Sequence, residues 1–356
     1  MAKVILFFFL CLFSTNSYAV EYKIANQYHA DDFDNASITG LGNNGRIYGN
    51  YPLRSKWNYD KKPFYFDLSS GFNIYNLGNN VELKSFSPNG HMLGYNQTKY
   101  NFVFVDELSG IQKIKFTDSD ETFEVKVMND NGQILGTGGF CRENIHRHFY
   151  KKCYIWDHGN TTEITSEIDK CFTISFPGAS SVQLDSFNNK GTYVGNFYNL
   201  FNPKDTHKIF VYKDKQIFVT PTIQHPGTIP NPLMINNKDE VLISVCKDSY
   251  IWNYFDDKLE KIYDFLALKI NDSSTIIGYI VSFEKNWLSV EKPAIWKEGK
   301  VIPLLELLDT EDVKTITEDS DEERIKIVDI NNHGDILIRA DLNYYVLEPI
   351  SDSEEE

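Results

Sequence analysis

Hydrophobic and polar residues alternate along this chain in short runs, and turn residues cut the runs at regular intervals. Val125 and Val127 lead into Asn131-Gly132, and Ile134-Leu135 lead out. Period-two alternation on both sides of an Asn-Gly pair predicts a strand, a tight two-residue hairpin and a second strand, because both central residues of a type I′ turn need φ > 0. The frame MNDNGQILG recurs as LGNNGRIYG, FSPNGHMLG, FNNKGTYVG, INNKDEVLI, INDSSTIIG and INNHGDILI. Its turn position moves from Gly45 to Gly334 over six intervals, a mean period of about 48 residues, within the range of propellers and solenoids. Asp239 and Ser274 replace the turn glycine in two copies, and longer or distorted hairpins are expected there.

A short strand with large residues two apart follows each copy. It reads PFYFD, NFVFVD, CYIWD, KIFVYKD, SYIWN, PAIWKEG and NYYVLE. A fourth strand closes each unit except the last, which runs into the chain end. Residues 21–28, EYKIANQY, precede the first unit and supply the missing strand. A first strand that completes the last sheet removes an otherwise exposed edge. The expectation is an all-β fold: a seven-bladed β-propeller of four-stranded blades, the last closed by the N-terminal strand. A β-helix fits less well, since its repeat is shorter and lacks Asn-Gly hairpins.

INNHG at 330–334, NDNGQILG at 129–136 and PAIW at 293–296 together resemble the HAF repeats of bacterial extracellular proteins. The resemblance spans most of the chain. It implies a propeller-like exported protein of a Gram-negative bacterium and carries no catalytic motif with it.

The ends set compartment and domain limits. Lys3, the apolar run Val4 to Phe13 and the small-x-small site Ser17-Tyr18-Ala19 form a secretory leader, too short for a membrane anchor. The domain reading is residues 1–19 leader, 20–350 one propeller domain and 351–356 an acidic tail. The destination is the periplasm or the exterior, with no membrane span. A formal charge of −15 argues against nucleic acid or an anionic membrane as a partner. The acidic run Asp309 to Glu323 reads as a solvated loop. Asn35, Asn96, Asn160 and Asn271 stand in Asn-x-Ser/Thr sequons.

Propeller connectivity sorts the loops. The a–b and c–d turns lie on one face, and the b–c and d–a connections lie on the other. The b–c connections are the long ones, and long loops on a rigid scaffold carry function. Cys141 and Cys153 sit at the two ends of one of them, so a disulfide is expected there; closing so short a loop contributes about 3 kcal/mol. Cys171 and Cys246 remain as a second pair by elimination, with two separate buried thiols as the alternative. Trp57, Tyr59, Arg147, Phe197, Tyr198 and Trp287 are the candidate ligand contacts on this face, since aromatics interleaved with polar residues bind sugars or peptides.

The histidines at 146, 148, 207 and 225 have no carboxylate or cysteine at metal-ligand spacing, so no metal and no cofactor are expected. Hydrolase, phosphate-loop and dinucleotide motifs are absent from the sequence. The leading function is a monomeric binding module for a glycan, peptide or surface protein. The alternative is a polysaccharide-acting hydrolase or lyase at the channel mouth, with Glu143, His207 and Glu284 as loop candidates.

Overall fold

The structure is a computed structural model that describes residues 21–30, 36–54, 59–67, 71–74, 81–96, 101–106, 110–116, 123–138, 152–176, 179–199, 207–223, 230–284, 287–318 and 320–350. Seven four-stranded antiparallel sheets form a seven-bladed β-propeller. The first strand, β1 (Tyr22–His29), does not open a blade. Blade 1 is β2 (Ser37–Leu41), β3 (Ile47–Arg54), β4 (Tyr59–Asp67) and β5 (Gly71–Ile74). Blade 2 is β6 (Val81–Phe86), β7 (Met92–Asn96), β8 (Asn101–Asp106) and β9 (Gly110–Lys113). Blade 3 is β10 (Phe123–Met128), β11 (Ile134–Gly138), β12 (Lys152–Asp157) and β13 (Asn160–Glu163). The helix α1 (Thr165–Ser175) then leads to blade 4: β14 (Ala179–Phe187), β15 (Tyr193–Asn199), β16 (His207–Lys213) and β17 (Gln216–Val219). Blade 5 is β18 (Asn231–Ile235), β19 (Glu240–Val245), β20 (Asp248–Asn253) and β21 (Lys258–Ile262). Blade 6 is β22 (Phe265–Ile270), β23 (Ile276–Glu284), β24 (Trp287–Lys297) and β25 (Lys300–Pro303). The helix α2 (Thr310–Thr317) precedes blade 7: β26 (Ile325–Ile330), β27 (Ile336–Ala340) and β28 (Asn343–Pro349).

Blade 7 takes its fourth strand from the N-terminus, as expected. β1 runs antiparallel to β28, from Tyr22 opposite Pro349 to His29 opposite Asn343. The core lies between blades. Phe64, Phe104, Trp156, Phe210, Trp252 and Tyr345, all from the third strands, are fully buried. The large residues two apart in the second motif are therefore packing residues, each wedged against the neighbouring sheet.

Every inner strand carries a β-bulge at one place, three residues before the first residue of its turn. The bulged residues are Thr39, Lys84, Lys126, Asp185, Leu233, Leu268 and Val328. This explains the glycines that close the sequence frame. Gly49, Gly195 and Gly278 face the start of the bulge, where a Cβ would collide with the carbonyl oxygen of Ser37, Gln183 or Leu266. The extra residue bends the inner strand and re-aims its side chains.

Three expectations need correction. The hairpin loops are not two-residue type I′ turns. Gly132 N donates to Asn129 O at 3.0 Å, and of the turn residues Gly132 alone has positive φ, at 76°. That is a hydrogen-bonded turn followed by one left-handed residue. Where glycine is missing the turn is not distorted: Asp239 and Ser274 adopt φ of 67° and 70° and close the same bond. Finally, the acidic run is not simply a loop. The Asp309 carboxylate accepts from the N–H groups of Glu311 and Asp312 at 2.9 and 2.8 Å, and Glu311 and Asp312 in the first turn complement the helix dipole. Ile316 and Val313 then anchor α2 on the core of blades 6 and 7.

Candidate functional site

The recurrent Asn of the turn frame builds one end of the site. Within each turn its Oδ1 accepts two backbone N–H groups, as Asn236 does from Lys238 and Glu240 at 3.0 and 2.9 Å. Its Nδ2 crosses to the next blade and donates to a turn carbonyl. Asn129 reaches Asn188 O, Asn188 reaches Asn236 O, Asn236 reaches Asn271 O, Asn271 reaches Asn331 O, and Asn331 reaches Gly42 O, at 3.0–3.4 Å. All five asparagines are buried. Such bonds are costly to lose, because each would leave a buried polar group unsatisfied.

The following residue of each turn forms a second ring, closer to the axis. Asp130 N donates to Asn189 Oδ1, Asn189 N to Asn237 Oδ1, Asn237 N to Asp272 Oδ1, Asp272 N to Asn332 Oδ1, and Asn332 N to Asn43 Oδ1, at 2.8–3.2 Å. With their oxygens so engaged, the amide nitrogens point inward. Asn189, Asn237 and Asn332 all donate to Asp130 Oδ2, at 3.1, 3.0 and 3.3 Å. Side chains from blades 3, 4, 5 and 7 thus meet at one carboxylate and bridge the axis. Burial and then the nearby Asp272 push the Asp130 carboxyl above the usual carboxylate range, against the pull of its three amide donors.

Behind this ring lies a central channel of about 510 Å³, within the span of ligand cavities. Five of the seven bulge residues line it, all but Lys126 and Asp185, together with successors such as Ser85, Met234 and Lys269. Leu233, Met234, Leu268 and Val328 of blades 5–7 line it together with Thr39, Lys84, Ser85 and Ser186 of blades 1, 2 and 4. The wall is mixed: Lys269 and Asp329 also line it on blades 6 and 7, and Phe86, Val127 and Phe187 line it on blades 2, 3 and 4. Leu268 is 42% exposed, an apolar side chain turned to the solvent of the channel. Near the ring, Lys269 Nζ lies 2.6 Å from Asp329 Oδ1. Asp329 also accepts the N–H of Leu41 at 2.9 Å, so this ion pair joins blades 6, 7 and 1.

The structure treats the sequence-derived contacts unequally. Phe197 is a buried packing residue and not an exposed aromatic of the loop face. It is 1% exposed and packs edge-on to Phe172 of α1 and Phe210, because an unanticipated helix covers it. Trp57 and Arg147 lie outside the described residues, as do the side chains of Tyr59, Tyr198 and Trp287. Among the loop candidates for catalysis, Glu143 and the Glu284 side chain also lie outside them, while His207 begins β16. The Cys171–Cys246 bridge is not formed, and both are thiols. Cys171 on α1 donates to Lys215 O in the c–d turn of blade 4, whereas Cys246 occupies the b–c turn of blade 5, at the opposite ends of the strands. Cys153 is a buried thiol, pushed up to about 12 by its burial, and Cys141 lies outside the described residues. The sequon residue Asn271 is buried within the ring.

No group of three or more His, Cys, Asp or Glu is placed to hold a metal among the described residues. No helix among them is long and apolar enough to cross a membrane. Sequence reasoning missed the channel wall altogether. The available signal was the glycine that closes five of the seven frames, at Gly49, Gly94, Gly136, Gly195 and Gly278, opposite the residue before the bulge. Ile243 and Ile338 stand there in the other two.

No protein-family model matches the chain, and a search of curated proteins finds no match. Among solved structures it is similar to virginiamycin B lyase from Staphylococcus aureus, at 11% identity and a TM-score of 0.48, over 93% of this chain and 100% of that one. It is also similar to an acylaminoacyl peptidase from Pyrococcus horikoshii, at 11% identity and a TM-score of 0.49, over 89% of this chain and 52% of that one. YCF48 from Cyanidioschyzon merolae follows at 9% identity and a TM-score of 0.46, over 94% and 100%. At these identities the likeness is one of fold alone.

Proposed function

We propose that the protein is a binding module that takes an extended peptide segment into its central channel. The segment enters from the face of the b–c and d–a connections, opposite the end that the Asn/Asp ring bridges. The observation that supports this is the mixed wall, in which the apolar Leu233, Met234, Leu268 and Val328 line the same channel as the polar Thr39, Lys84, Ser85 and Ser186. A strand-like peptide presents alternate side chains to opposite sides, so an amphipathic one can meet both the apolar and the polar lining.

A glycan would need an aromatic face to stack on. The aromatic residues of the described channel wall are Phe86 and Phe187. Phe86 is stacked on Tyr48 at 4.7 Å and Phe187 on Tyr193 at 5.8 Å. One face of each ring is already covered, which leaves less aromatic surface to stack on and favours a peptide. The reading includes export on the leader at residues 1–19, as a module of the HAF-repeat kind.

Selection from a displayed library of random peptides tests it, followed by affinity measurements on Leu268→Lys. Burying a leucine side chain contributes roughly 1.5–3 kcal/mol, so the variant should bind the selected amphipathic peptides at least about tenfold more weakly, with unchanged melting temperature. Selected peptides that bind Leu268→Lys and wild type alike would place the ligand elsewhere.

A further inference from the structure

Blades 3 and 4 part near the channel to leave a cleft of about 130 Å³. Glu124 and Lys126 of β10 and Gln183 of β14 form its mouth, and both strands are innermost in their blades, so it opens toward the axis. Its walls are Val182, Leu184, Cys153 and Thr137. Thr137 stands opposite Cys153 in the ladder and two residues beyond Leu135, which puts its side chain on the face turned to blade 4. The Thr137 hydroxyl is buried, with the residue 4% exposed, and has no hydrogen-bond partner. A buried hydroxyl in that condition is costly to maintain and calls for an explanation.

The charges at the mouth are already matched. Lys126 Nζ lies 2.9 Å from Glu124 Oε1. The neighbouring Asp185 accepts from Gln183 Nε2 at 2.6 Å and from Asn196 Nδ2 at 2.8 Å. A charged group entering the cleft would therefore find no unmatched counter-ion. The volume is close to the roughly 150 Å³ of an apolar cavity that holds benzene.

We propose that this cleft is a subsite for one neutral, apolar side chain that carries a hydroxyl, a phenol by size and so a tyrosine of the bound segment. The inference rests on the channel as the binding site of a peptide. The ring fills the space between Val182, Leu184 and Cys153, and its hydroxyl pairs with Thr137 Oγ1, which can donate or accept.

The test uses the full chain, with the methyl groups of Thr137, Val182 and Leu184 labelled for NMR. Phenol, benzene, benzoate and benzylammonium are the probes. Phenol should shift the Val182 and Leu184 methyl signals and bind at least about tenfold more tightly than benzene, since a site built to bond a hydroxyl discriminates against the analogue lacking it. Thr137→Val removes the hydroxyl at constant shape, so the variant folds. It should bind phenol and benzene alike.

Failure of phenol to shift those methyls would overturn the subsite, as would a phenol preference that survives in Thr137→Val. Tighter binding of benzoate or benzylammonium than of phenol would overturn its neutrality. The two readings fail separately. Selected peptides that bind through Leu268 but ignore Thr137→Val leave the channel and remove the subsite. Phenol bound in the cleft with no peptide selected does the reverse.

Discussion

At the scale of single residues, the turn asparagines hold the ring of blades together. The buried Asn236 makes three bonds inside its own turn, two accepted by Oδ1 and one from Nδ2 to Glu240 Oε2, and one to Asn271 O. Asn44, in the exposed turn of blade 1, faces solvent. Asn236→Ala should lower the unfolding free energy by about 2 kcal/mol or more, and Asn44→Ala by far less, as measured in denaturant. The sequence shows the asparagines as turn formers, which they are. Their reach across to the next blade depends on ring closure, which no local window contains.

Two carboxyls in this ring should respond to pH with opposite signs. Desolvation raises Asp239, but hydrogen bonds from Asn188, Lys213, Thr192 and Lys190 outweigh it and hold the carboxyl below its usual range. A carboxyl depressed in the folded state stabilises above its unfolded value, and the contribution is lost as pH falls through the folded value. Asp130 is raised. Its ionisation costs stability at neutral pH, and that cost is relieved as pH falls through its raised folded value. Over about pH 6 to 3, which spans the carboxylate range, the advantage of wild type over Asp239→Asn should shrink. The stability of wild type relative to Asp130→Asn should instead rise. Parallel urea titrations of the three proteins decide it; equal slopes for both variants would contradict the assigned shifts.

At the scale of elements, strands were legible and helices were not. Period-two alternation and Asn-Gly punctuation show through because each strand buries one face. The helix α1 stayed hidden because its buried residues, Thr165, Ile168 and Phe172, cover a single narrow stripe within a connection that reads as polar. That helix also explains why Phe197 looks like a surface aromatic in sequence and is a core residue in space. Phe197→Ala should destabilise by about 3–5 kcal/mol, the range for truncating a buried phenylalanine. A calorimetric loss of that order identifies a packing residue. Unchanged melting with altered peptide binding would restore it as a contact. The bulges were legible in principle, since Gly49, Gly195 and Gly278 mark them, but a glycine ending a strand reads equally well as a turn.

At the scale of the whole molecule, the seven-fold period and the spare N-terminal strand were enough to predict the propeller. The period could not reveal which side chains line the axis. That depends on a one-residue bulge, whose residue lines the channel in blades 1, 2, 5, 6 and 7 and not in blades 3 and 4. The account stands on that wall being the place where ligand sits. Photocrosslinking measures this most directly, with p-benzoylphenylalanine introduced in place of Leu268 in one protein and in place of Asn44 in another. Peptides selected on wild type should crosslink from position 268 in the channel and not from position 44 on the face bridged by the ring. Crosslinking from 44 with none from 268 would contradict the account.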